Sequence, residues 1–92
     1  MSCQLDTNEI IARSHFTGVE LQITDIALAH SFLNHAETSR DPQVIAHSRH
    51  KAREAYDSIL RFLASLNATA EQQSRIDARL PELKARLEAA QG

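Results

Sequence analysis

The sequence predicts an all-α fold, an antiparallel up-down-up three-helix bundle whose third helix is kinked by a proline. Three observations carry this. Apolar residues recur at helical 4-3 spacing in three separate stretches. Two short polar segments, Arg40-Asp41-Pro42 and Asn67-Ala68-Thr69, punctuate them. Gly 2 and Pro 2 are too few for an all-β chain, which needs a turn signal about every 8–12 residues. A length of 92 residues allows one domain. With 42% hydrophobic and 24% charged residues the chain is neither a disordered tail nor a linker. Aromatics at 4% require an aliphatic core.

Residues 1–17 have poor periodicity and are expected to form an irregular N-terminal arm. Gly18 would interrupt any helix running on from Asp6, because glycine in a helix interior costs about 1 kcal/mol relative to alanine. The domain is then 18–92, with helices at about 19–37, 42–66 and 70–90. In the first, Val19, Ile23, Ile26, His30 and Leu33 line one face, and Leu21, Leu28 and Phe32 make a second stripe. Two apolar faces predict a helix contacted from both sides.

Asp41 and Pro42 open the second helix. Proline suits the first helical position, where its missing N–H is not needed, and Asp41 caps the free amides. The inward stripe is Ile45, Ser48, Ala52, Ala55, Ile59, Leu63 and Leu66, widened by Tyr56 and Leu60. Thr69-Ala70-Glu71-Gln72 reads as a capping box for the third helix. There Ile76, Leu80, Leu83, Leu87 and Ala90 form the stripe. Pro81 lies inside it, where a proline removes one helical hydrogen bond and clashes with the carbonyl four residues back. The stripe continues across Pro81 unbroken, which favours a kink at 77–81 over two short helices.

Small and aromatic residues alternate in Leu28-Ala29-x-x-Phe32-x-x-x-Ala36 and in Ala52-x-x-x-Tyr56-x-x-Ile59-Leu60. Over about residues 26–63 this resembles the two-helix unit of tetratricopeptide repeats. With a third helix it is also similar to small three-helix peptide-binding domains of the microtubule-interacting-and-transport type. The resemblance implies a groove for a protein or peptide rather than catalysis.

Charge is uneven. Residues 1–38 hold five acids against Arg13 alone, a net of −4; residues 39–66 carry +2, and 67–92 carry 0. The acidic first third is expected to lie near the basic second third. The total of −2 and a pI near 6.2 give no bulk reason for a nucleic acid or an anionic membrane as main partner. The one basic run, His47 to Arg53, supports an alternative reading as a nucleic-acid-associated regulator. His35, His47 and His50 are the metal candidates of a third reading, a metal-responsive bundle, although no known ligand spacing is present. His30, on the inward stripe, reads as a satisfied core histidine.

No glycine-rich phosphate loop, nucleophile elbow or paired acids point to catalysis, and no cofactor is implied. Cys3, the single cysteine, cannot form an intrachain disulfide and fits a reducing compartment. The first residues lack a secretory pattern, and no apolar run is long enough to span a membrane, so the expected location is cytoplasmic. The leading expectation is a non-enzymatic interaction module or adaptor. Its partner-binding residues are Leu83 and Leu87, exposed if Pro81 swings the last turns off the bundle, with Arg49 and Arg53. Homodimerisation through the same segment is a branch of this reading.

Overall fold

A computed structural model describes residues 7–91, of Gln91 the backbone alone; Cys3 lies outside them. Its elements are α1 (Thr7–Thr38), α2 (Pro42–Leu63) and α3 (Ala70–Gln91). The three helices pack against one another, with the most extensive contact between α1 and α2. The three-residue link 39–41 turns α2 back along α1, and the six-residue link 64–69 returns α3 parallel to α1.

Both predicted starts form. Asp41 Oδ1 accepts from the Gln43 amide at 2.9 Å, with Pro42 in the first turn. At the head of α3 the Gln72 amide donates to Thr69 Oγ1, and the Thr69 amide donates back to Gln72 Oε1, both at 3.1 Å. Each satisfies an amide that the helix itself leaves without a partner.

One apolar cluster holds the bundle. Val19, Ala29, Ala52, Ile59 and Leu83 are fully buried, and Ile26, Leu33, Ile76 and Leu87 nearly so. Leu63 and Leu80 are half-buried and pack against it. Each large aliphatic side chain so buried contributes about 1.5–3 kcal/mol. The alanines let helix axes approach closely. On the buried face of α1 one polar atom, Gln22 Oε1, has no hydrogen-bond partner.

Several expectations are corrected. Residues 7–17 are helical, and α1 runs straight through Gly18. A Cβ on Gly18 would lie 3.1 Å from both δ-methyls of Leu66, tighter than ordinary contact, so Leu66 packs directly on the glycine. The Asn67 amide also donates to His15 Nδ1 at 3.0 Å. The α2–α3 link thus clamps 15–18, and these contacts offset the cost of a mid-helix glycine. For the same reason α2 stops at Leu63 rather than 66. The Ser65 and Leu66 amides tighten onto Phe62 and Leu63 three residues back, which turns Leu66 toward Gly18.

Of the second stripe of α1 only Phe32 meets the core, half-buried, while Leu21 and Leu28 are exposed. Leu60 is exposed as well, so Tyr56 alone widens the α2 stripe. The third helix is continuous through Pro81. Asp77, whose carbonyl loses its amide to the proline, is exposed, as is Pro81, while Ile76, Leu83 and Leu87 stay inside. The last turns therefore remain on the bundle, and Leu83 and Leu87 are core residues, not an exposed partner-binding strip.

Candidate functional site

The polar chemistry concentrates between α1 and α3. His30 is 2% exposed. Its Nε2 donates to the Arg79 carbonyl at 3.2 Å, and its Nδ1 accepts from Arg86 Nη1 at 2.9 Å. A carbonyl only accepts and a guanidinium only donates, so the two partners admit one tautomer, with the proton on Nε2. Arg86 also reaches the His30 carbonyl (3.5 Å), Asn34 Oδ1 (2.8 Å) and Glu37 Oε1 (3.0 Å). Nearer the start of α3, Gln72 Nε2 donates to the Phe16 carbonyl (3.0 Å) and to Glu20 Oε2 (3.3 Å). Arg75 Nη1 lies 3.0 Å from both Glu20 oxygens.

The acidic first third does lie against the basic second third, since α1 packs most extensively on α2, but its ion pairs go elsewhere. The acids of α1 that cross to a neighbour, Glu20 and Glu37, pair with α3 and not with the basic second third. Neither the Arg75–Glu20 clasp nor the Arg86–His30–Glu37 clasp was identified from the sequence. The available signal was the surplus of acid on α1, which needs cations from somewhere.

The basic run on α2 is largely matched along its own helix. His50 and Lys51 approach Glu54 at 3.2 and 3.7 Å, and Arg53 approaches Asp57 at 3.6 Å. The Arg53 guanidinium sits 5.8 Å from the ring centre of Tyr56. Arg49 makes no hydrogen bond or ion pair among the described residues; it borders a cleft with Arg86 instead. His35, His47 and His50 are exposed. Among the described residues no group of three or more His, Cys, Asp or Glu side chains is placed to hold a metal ion.

The outer face of α1 is the feature with the clearest capacity for recognition. Ile10, Leu21 and Leu28 are 51%, 58% and 48% exposed. Their spacings of 11 and 7 residues return to the same side of a helix that turns about 100° per residue. That side lies opposite Val19, Ile26 and Leu33, which the core consumes. Thr17 and Ser14 continue the stripe between Ile10 and Leu21. Arg13 and Asp25 flank it, neither with an ion pair among the described residues. From Thr7 to Ser14 every residue is exposed, so the first two turns of α1 extend beyond the cover of the other helices.

The chain matches no protein-family model, no curated protein and no solved structure. No helix among the described residues is long and apolar enough to cross a membrane.

Proposed function

We propose that this chain is a non-enzymatic helical interaction module that receives an amphipathic helix of a partner protein along the outer face of α1. The observation that carries the reading is the line Ile10, Leu21 and Leu28, three aliphatic side chains about half exposed on one helix face. From Ile10 to Leu28 is 18 residues, roughly 27 Å of helix at 1.5 Å per residue. That length suits a partner helix of about five turns laid alongside, its own apolar residues at i, i+4 and i+7. One cation and one acid at the edges, Arg13 and Asp25, supply a polar rim of both signs. The likeness of residues 26–63 to the tetratricopeptide hairpin points to the same class of activity.

The test is the double variant Leu21→Glu with Leu28→Glu. Both side chains are exposed, so the variant should fold with unchanged helicity. Proteins retained by the wild-type chain but not by the variant would be purified, and direct binding measured by calorimetry. The expected result is at least one partner whose affinity falls about tenfold or more, the effect of losing about 1.4 kcal/mol. A wild-type chain that retains no partner, or partners bound equally by the variant, overturns the reading. Dimerisation of the wild-type chain, abolished by the variant, would replace the foreign helix by a second copy.

A further inference from the structure

We propose that the cleft where the end of α1, the second turn of α2 and the end of α3 converge binds a carboxylate carried on a short aliphatic group. The cleft measures about 230 Å³. Leu33, Ala36, Ala89 and Ala90 give it an apolar lining, and the three alanines are what leave it open. Arg49, Arg86 and Glu37 complete it.

The two arginines are not equivalent. Arg86 is committed: both of its terminal nitrogens are bonded to α1, and its charge is matched by Glu37 at 3.0 Å. It forms a fixed wall. Arg49, in contrast, has no partner among the described residues, although Lys51 and Arg53 on the same helix are each paired with an acid. An unmatched guanidinium beside an apolar cleft offers a planar fork of donors to an anion whose remainder is apolar.

Size and charge narrow the ligand. Pockets that bury drug-sized molecules run to about 300–1,000 Å³; this one is smaller and suits a single aliphatic residue or a short acid. Glu37 on the wall opposes a second negative charge, so a monoanion is favoured over phosphate. The carboxylate pairs with Arg49 and the aliphatic part fills the space over Leu33 and Ala36. This site lies apart from the outer stripe of α1 and does not rest on it.

The experiment is a titration of the full chain followed by amide NMR, with N-acetyl-leucine as probe. Saturating shifts are expected in residues 33–37, around Arg49 and in residues 86–90. N-acetyl-leucinamide, which lacks the charge, should bind about tenfold more weakly or worse, as should N-acetyl-leucine to the variant Arg49→Gln. Arg49 is exposed and makes no hydrogen bond or ion pair among the described residues, so that variant keeps its fold. Isovalerate separates the two sources of the ligand: affinity equal to that of N-acetyl-leucine assigns a free acid, and affinity about tenfold weaker assigns a peptide carboxylate. The proposal is overturned if the neutral amide binds as well as the acid, if Arg49→Gln leaves the affinity unchanged, if inorganic phosphate binds more tightly, or if no saturation appears by tens of millimolar.

Discussion

The two interfaces of α1 are built on different principles. Toward α2 it presents the more extensive contact, served by alanines, and no hydrogen bond between side chains of α1 and α2 accompanies it among the described residues. Toward α3 the contact is smaller, yet two clusters of directed polar bonds join the helices, one at Glu20 and one at His30. Close packing of small residues is a sufficient bond where helices can approach closely. Where less apolar area is shared, hydrogen bonds between buried or half-buried groups make up part of the difference. They also fix geometry, because their strength depends on distance and angle.

The comparison can be broken first at the packed side. Ile59→Ala removes a fully buried side chain of α2 and should cost about 2–5 kcal/mol, since the cavity cannot collapse among rigid helices. Urea unfolding measures it; a loss under about 0.5 kcal/mol would mean that the packed interface is not what holds α2.

The polar side is tested by Arg86→Met, which keeps much of the stem and removes the guanidinium. Buried His30 Nδ1 then has no donor, and the expected loss is about 1–3 kcal/mol. Hydrogen exchange should rise in α3 and little in α2. Arg75→Met breaks a more exposed pair and should cost under about 1 kcal/mol. Equal losses at the two sites would erase the distinction between the buried and the exposed clasp.

The smallest expected effect sharpens the account of Gly18. Alanine there gains about 1 kcal/mol of helix propensity, against the shift its Cβ forces on Leu66. Leu66 is half-buried on a non-helical link, and the contact is with its side-chain tip. A net gain of a few tenths of a kcal/mol is expected in thermal unfolding. A clear loss would show that Leu66 cannot yield and that the glycine is obligatory.

Most of the architecture was legible because its signals are local. Caps at Asp41 and Thr69 and the 4-3 spacing of Val19, Ile59 and Leu83 depend on neighbours within one or two turns. His30 was legible as a satisfied core histidine for the same reason: it falls on an apolar face. The misreadings all concern what lies across space. Gly18 looks like a breaker until Leu66 is seen above it. Leu21 and Leu28 look like a second buried face until it is clear that no fourth helix meets them. Arg75 and Arg86 sit beside the α3 stripe, where sequence cannot distinguish solvent from a carboxylate on a helix 55 or 49 residues away. Leu83 and Leu87 were assigned to a partner because a proline's local effect was extended to the whole end of the helix. Of the candidate sites, Arg49 and Arg53 were legible as cations, but that Arg53 is matched while Arg49 is not depends on the side-chain geometry of Asp57.

The two clasps have a consequence for the uniqueness of the bundle. A slide of α3 by four residues keeps only half of the stripe Ile76, Leu80, Leu83 and Leu87, since Arg79 would take the place of Leu83 one way and Lys84 that of Leu80 the other, so apolar burial already disfavours the neighbouring alignments. The polar partners do not repeat. Sliding α3 so that residues four earlier take the clasp positions sets Glu71 against Glu20, and Glu82 against His30 and Glu37, acid facing acid at both ends. Sliding it the other way offers Arg79 to Glu20 but leaves Ala90 where Arg86 stood, and buried His30 Nδ1 loses its donor. Both displaced alignments keep two of the four stripe positions apolar and fail at the clasps as well. The arginines and His30 therefore act as a second, independent register mark that agrees with the apolar one, so that pattern and polar pairing select the same alignment.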